Sequence, residues 1–229
     1  RDTFVQLEGP SVQQTQISFL EDWNWAMLKS GPSSLPCLCW EITPQREDET
    51  VLMLPSGPAD VIPAWKTAII ALANRARERL WIATPYFVPD EGVMAALQAA
   101  ALRNVDVRIL RPERADHILV KLSSFTFLRD LDTYGIQVWA YQKGFLHQKV
   151  ILMDDDIATV GTANLDNRSL ALNFEIPAVI HSPAVCAEVK EMLEKDFASS
   201  KKESLEDYNN KSLGFKMLCN LARLMAPVQ

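Results

Sequence analysis

The sequence predicts an α/β fold, a mixed, largely parallel sheet with helices on both faces, and three observations lead there. Short apolar runs alternate with segments of helical periodicity between residues 51 and 141, and Pro85 and Gly135 punctuate that alternation. Beyond Gly144 the runs draw closer together and turn at Asp154-Asp155-Asp156, as strands of a hairpin do. With 229 residues, 48% hydrophobic and 23% charged, the chain can bury a full core, which suits one large domain or one and a half.

Residues 11–29 place Val12, Ile17, Phe19, Leu20, Trp23, Met27 and Leu28 at mostly helical spacing behind the start signal Pro10-Ser11. The stretch 30–36, rich in Ser and Pro, and the charged run 46–49 are connector-like, so a boundary is expected near residue 31. Strands are then expected at 51–54, 80–84, 105–110 and 136–141, with helices over 64–79, 91–103 and 118–133 between them. Further strands are expected at 148–153, 157–161 and 174–180, followed by helices over 184–199 and 212–225. Three parts result: a leading helix in 1–30, a main domain in 31–200, and an amphipathic C-terminal helix in 201–229.

Charge and cysteine usage narrow the function. A net charge of -6 argues against a general nucleic-acid binder, whose affinity rests on a basic surface that displaces condensed counterions. The groups Arg75, Arg77, Arg79 and Arg103, Arg108, Arg111, Arg114 read as solvated helix faces. Cys37, Cys39, Cys186 and Cys219 form neither a disulfide framework nor a paired zinc spacing, which fits a reducing compartment and no metal. No apolar run reaches the ~20 residues of a membrane-spanning helix, and the start Arg1-Asp2-Thr3 does not read as a native beginning, so a longer protein is expected.

The chemistry is carried by His147, Lys149, Asp154, Gly161, Thr162 and Asn164, in the pattern H-x-K-x4-D-x6-G-[ST]-x-N, with Glu175 eleven residues after Asn164. On a strand, His147 and Lys149 leave the same face, and the Gly161-Thr162 turn returns Asn164 toward the same sheet edge. A phosphodiester is anionic and resists attack, so its catalyst must neutralise oxygens and offer a nucleophile that needs no deep deprotonation. Lys149 supplies fixed charge and Asn164 an amide donor, while His147 either attacks phosphorus when neutral or protonates the leaving alcohol when charged. Neither a metal nor a cofactor is required. Glu175, on a neighbouring strand, is expected to hold the far imidazole nitrogen of His147.

This pattern is the phospholipase D superfamily signature, and its longer surroundings closely resemble bacterial cardiolipin synthases. The runs are Gly144-Phe145-Leu146-His147-Gln148-Lys149 and Gly161-Thr162-Ala163-Asn164-Leu165-Asp166-Asn167-Arg168-Ser169. Leu54-Pro55-Ser56-Gly57-Pro58-Ala59-Asp60, Thr84-Pro85-Tyr86-Phe87-Val88-Pro89-Asp90 and Asn173-Phe174-Glu175 are similar too, so the resemblance runs along essentially the whole chain, down to an ending at Ala226-Pro227. It implies a phospholipase D-like fold and a second, facing motif in a preceding half, with residues 1–30 the end of that half.

The resemblance further implies that His147 is the second-copy histidine, more often acid and base than nucleophile. Asp154 then becomes a structural member of the motif, alongside Gly161 and Thr162, the latter standing where serine is usual. The implied reaction joins two phosphatidylglycerol molecules into cardiolipin and releases glycerol, at the inner membrane of a bacterium, with this part peripheral and on the cytoplasmic side. Phosphatidylglycerol, cardiolipin, the membrane surface and the preceding half are the implied partners, and nucleic acid is not among them. Tyr86 and Phe87 are expected to line the substrate entrance, and Pro177 to mark an edge or bend in the strand after Glu175. Two other functions fit the residues: a single-motif nuclease-type phosphodiesterase working as a homodimer, and a folded but inert half.

Overall fold

A computed structural model describes residues 1–31, 37–41, 49–114 and 118–226. The first part runs α1 (Pro10–Ser30), β1 (Thr50–Met53), α2 (Ala64–Arg75), β2 (Arg79–Ala83), β3 (Phe87–Val88), α3 (Glu91–Leu102), β4 (Asp106–Pro112), α4 (Ile118–Asp132) and β5 (Gln137–Tyr141). The second continues with β6 (Val150–Met153), β7 (Ile157–Val160), β8 (Leu165–Asp166), α5 (Asn167–Ala171) and β9 (Ala178–His181). It ends with α6 (Pro183–Ala198), β10 (Ser200–Lys202), α7 (Leu205–Asn209) and α8 (Leu213–Arg223). Residues 32–36 of the expected connector, 46–48 of the charged run and Pro227 lie outside the described residues, and the start of that connector, Ser30, belongs to α1.

Eight strands form one sheet in the order β1-β9-β7-β6-β2-β4-β5-β10, and β3 pairs with β8 in a small parallel annex. The expectation of a largely parallel sheet holds only for β2, β4 and β5, which pair in parallel. Helices α3 and α4 follow β2 and β4 and supply the long return that parallel neighbours need. Between β6 and β7 the connection is a tight turn, which can only reverse the chain, so β6 pairs with β7 antiparallel, as β7 does with β9 and β9 with β1. β6 also runs antiparallel to β2 and joins the two regimes.

Period-two alternation sets the layers. Leu80, Ile82, Val107, Ile109, Ile151 and Met153 pack beneath α2, α3 and α4, against Ile69, Leu97 and Leu131. Their strand neighbours Trp81, Leu110, Leu152 and Ala158 face the other way and meet Val189, Leu193 and Phe197 of α6. Helices therefore cover both faces, and each fully buried Leu, Ile or Phe contributes roughly 1.5–3 kcal/mol. Local signals agree with this layout: Asp90 caps α3 by accepting from Val93 N at 2.9 Å, and Ser182 caps α6 from Val185 N at 3.2 Å.

Arg75, Arg77, Arg103 and Arg114 remain exposed, whereas Arg79, Arg108 and Arg111 lie on strands β2 and β4 rather than on the expected helix faces. Arg103 donates to the Ala73 carbonyl at 2.7 Å, where α2 ends, and Arg75 reaches Asp156 at 2.8 Å. Arg111 grips Glu203 through two hydrogen bonds, each 2.8 Å, with only 8% and 13% of the two side chains exposed. That fork fastens the segment after β10 to the end of β4.

Candidate active site

His147 and Lys149 lie on an extended stretch that leads into β6, not within it, since pairing with β2 and β7 begins at Val150. Alternation still operates there. Gln148 is fully buried and donates its amide to Asp196 at 2.7 Å, and its neighbours on either side turn to the opposite face. Lys149 is held to the returning strand by its carbonyl, which accepts from Gly161 N at 3.2 Å.

Lys149 Nζ lies 2.9 Å from His147 Nε2 and 2.7 Å from the His147 carbonyl oxygen. An ammonium only donates, so Nε2 accepts, and the imidazole proton resides on Nδ1, facing Asp2 Oδ2 at 3.3 Å. The assignment follows from the hydrogen-bond network and leaves His147 neutral, with its lone pair on the side of Lys149. One ammonium hydrogen of Lys149 remains for a ligand oxygen. The Phe145 ring lies nearly parallel to the imidazole, with 5.9 Å between ring centroids.

Burial lowers the lysine's proton affinity, while the charges of Asp2, Glu175 and Asp166 oppose that shift. Burial also acts to raise the Asp2 carboxyl, but the hydrogen bonds from His147 and from Thr3 N–H hold it below the usual carboxylate range.

Asn164 lines the same cavity as His147 and Lys149. Its amide donates to Asp166 Oδ2 at 3.1 Å, and its carboxamide oxygen is buried without a hydrogen-bond partner among the described residues. Asp166 caps α5 by accepting from Ser169 N at 2.7 Å, and burial raises its carboxyl above the ordinary value despite these hydrogen bonds. Thr162 turns its hydroxyl inward to accept from Ile176 N at 2.9 Å, so the hydroxyl it shares with serine has a structural use. Gly161 is required by space: an added Cβ would meet Pro177 Cα at 2.3 Å. Pro177, expected at an edge or bend, directly precedes β9, an interior strand paired with β1 and β7, and its carbonyl accepts from Leu54 N at 2.9 Å.

Asp154 stands apart from the cavity and serves the fold. Its backbone has a φ of 53°, a left-handed turn that Asp tolerates. Its carboxylate accepts from the backbone N–H of Arg77 at 3.1 Å, Glu78 at 2.9 Å and Arg79 at 3.0 Å. The β6–β7 turn is thereby bound to the start of β2.

Three expectations need correction. Glu175 does not hold His147; it accepts from Ser169 Oγ at 2.8 Å and Asn173 Nδ2 at 3.2 Å, because its backbone is locked to Ser56 in a two-bond bridge that sets its side chain inward. Phe87 is 2% exposed and packs edge-on against Phe127, since its pairing in β3 with Leu165 draws it into the core. Tyr86 is half-buried, and neither it nor Phe87 is among the residues lining the cavity at His147.

That cavity encloses about 740 Å³. His147, Lys149, Thr162 and Asn164 make one polar part, and Phe4, Val5, Leu7, Val12, Met53 and Ile176 line much of the rest. Among the described residues, no group of three or more His, Cys, Asp or Glu side chains gathers as a metal site.

Sequence reasoning missed Asp2, although a signal was present. Set at an offset of 173, Asp2 falls on Glu175, Pro10 on Pro183, Val12 on Val185, Leu20 on Leu193 and Glu21 on Glu194. Each acid thus stands eight residues before a proline that opens a helix, α1 in one case and α6 in the other.

Comparison with known proteins places the family and the fold. The family described as cardiolipin synthase, PLD-like domain, matches over residues 69–197. Cardiolipin synthase A of Pseudomonas aeruginosa strain LESB58 is 45% identical across 100% of this chain and 46% of its own length. The synthase A of Pseudomonas fluorescens Pf-5 is 44% identical, covering 100% and 47%. The chain therefore spans about half the length of these relatives. Among solved structures, phosphatidylserine synthase of Haemophilus influenzae Rd KW20 superposes with a TM-score of 0.66 at 17% identity, covering 92% of this chain and 54% of that one. Nuc of Salmonella typhimurium, a phospholipase D family member, gives 0.59 at 19% identity, covering 69% and 99%. Both likenesses bear on the fold alone.

Proposed function

The chain belongs to the family of cardiolipin synthase, PLD-like domains, and from that premise we propose that it supplies one of two facing histidine motifs in a metal-independent phosphatidyltransferase. The observation that carries this reading is the union of a phosphate-seeking cluster with an apolar cavity. A nucleotide would leave those apolar walls unmatched, whereas a phospholipid presents a diester to His147, Lys149 and Asn164 and hydrocarbon to Phe4, Leu7 and Val12.

In the proposed reaction, one histidine Nε2 attacks the phosphorus of phosphatidylglycerol while the facing histidine gives its proton to the leaving glycerol. The second histidine then takes the proton of a hydroxyl on another phosphatidylglycerol, whose oxygen displaces the first histidine and yields cardiolipin. Lys149 and Asn164 meet the oxygens that gain charge in both steps. His147 is read as the acid and base of the pair, and an Nε2 that carries a lone pair, shared with Lys149 at 2.9 Å, suits the second step, where a base is needed.

Residues 1–30 are read as the end of the preceding half. Residues 5–8, the counterparts of β9 at the offset of 173, form no strand here, as expected if their sheet lies in that half. The test is to purify the chain with and without the portion of the Pseudomonas aeruginosa synthase that precedes the matched region, and supply phosphatidylglycerol in chelator. Cardiolipin should form in the pair and vanish with His147→Ala. Cleavage of single-stranded DNA without any lipid product would overturn the reading.

A further inference from the structure

Helix α8 is only partly built into the molecule. Cys219 and Ala222 are buried against Leu122 of α4, and Phe215 meets Phe125 edge-on at 5.6 Å. Yet Leu213, Met217, Leu221 and Leu224 are 84%, 66%, 52% and 76% exposed. Spaced at i, i+4, i+8 and i+11, they form a continuous apolar row beside the buried face. The row is preformed, because Ser212 caps the helix by accepting from Phe215 N at 3.2 Å.

Charge selects the occupant of this row. The chain as a whole carries -6, but residues 210–226 contain Lys211, Lys216 and Arg223 and no carboxylate. Arg223 is shared with Asp130 at 3.1 Å, and Lys216 donates to the neutral Asn209 carbonyl at 2.8 Å. Helix α1 also exposes apolar residues, Ile17, Phe19 and Trp25, but it mixes them with Glu21 and Asp22, a pattern suited to protein and repelled by anionic lipid. Within residues 210–226 every charge is a cation, and an apolar row flanked in this way is the pattern of a helix lying in a headgroup layer.

We propose that the exposed face of α8 docks on an anionic bilayer surface, with the four-residue row buried among acyl chains and Lys211 and Lys216 at the headgroups. The seat connects to the catalytic edge. Asn167, three residues beyond Asn164, donates to the Ala226 carbonyl at 2.8 Å and to the Val88 carbonyl at 3.1 Å. Ser124 of α4 holds the Phe87 carbonyl at 2.8 Å. A docked α8 therefore holds the Asn164 loop in a fixed position relative to the membrane. The inference rests on the phospholipid reading for its biological meaning, but docking is measured without turnover.

The test is flotation of the purified chain with vesicles of phosphatidylcholine alone or mixed equally with phosphatidylserine, an anionic lipid that is not the proposed donor. The chain should float with the mixed vesicles, and His147→Ala should float equally well. Combined Leu213→Glu, Leu221→Glu and Leu224→Glu should weaken binding at least about tenfold, with an unchanged circular dichroism melt. Lys211→Gln with Lys216→Gln, which leaves the apolar row intact, should cost up to about fivefold for each charge at low salt. The proposal is overturned if the charge pair floats like the parent, if the triple variant keeps full binding, or if it loses self-association without losing flotation. Binding seen only with phosphatidylglycerol and abolished by His147→Ala would overturn it too, by assigning the contact to the catalytic cavity.

Discussion

Asp2 Oδ2 lies 3.3 Å from His147 Nδ1, a contact that spans 145 positions of sequence. It selects the imidazole tautomer in which Nε2 carries the lone pair, the atom to which the proposed mechanism assigns the chemistry.

Replacing Asp2 should therefore damage chemistry more than binding. In the paired enzyme, Asp2→Asn should lower kcat by about two to three orders of magnitude with little change in KM. That is less than the ~10⁴ lost when a buried triad aspartate becomes asparagine, because Asp2 is 41% exposed and water can partly replace it. A loss in KM alone, with kcat intact, would reduce Asp2 to a wall of the cavity.

The lowered proton affinity of Lys149 gives a pH signature. Its ammonium is lost below the ordinary lysine value of 10.5, so the alkaline limb of the rate profile should fall below that pH. Lys149→Arg keeps its charge and should abolish this limb, at a lower rate, because a planar fork cannot reproduce a point donor between Nε2 and a carbonyl. For stability the sign is positive: between the depressed folded value and 10.5 the unfolded chain binds more protons, so stability rises with pH across that window. An alkaline limb retained in the arginine variant would remove Lys149 as its origin.

Asp154 should behave as a residue of the fold. Asp154→Ala leaves backbone N–H groups of residues 77–79 without their acceptor and forces alanine into a left-handed turn, a loss of about 2–4 kcal/mol. Asp154→Asn keeps one acceptor oxygen and tolerates the turn, so it should lose about half as much. Denaturant midpoints measure both, and a kcat loss in Asp154→Asn without any shift in midpoint would contradict the assignment.

Gly161→Ala should be among the most damaging small substitutions. Pro177 Cα would lie 2.3 Å from the new Cβ and the Ile176 carbonyl oxygen 3.1 Å from it, and neither backbone atom is the end of a flexible side chain that could yield. We expect a loss of roughly 1–3 kcal/mol or more, together with displacement of Thr162 and Asn164. Thermal unfolding with and without a phosphodiester analogue separates the two effects; an unchanged Tm would show that the crossing can relax.

Apart from the short β3, β8, α5, β10 and α7, the sequence by itself determined the order of elements, the two-sided core and the residues proposed to meet phosphate. These are written in periodicity and in a motif of fixed spacing, and local chain geometry carries them out: residues two apart on extended backbone share a face, as His147 and Lys149 do. Tertiary structure alone decided which carboxylate faces which nitrogen. Glu175 is turned inward by its bridge to Ser56, and Asp2 arrives from the other end of the chain, a meeting that no local spacing encodes. It also fixed the balance of parallel and antiparallel pairing and drew Phe87 into the core, because strand partners are chosen by long-range burial and hydrogen bonding, which a one-dimensional pattern constrains without specifying.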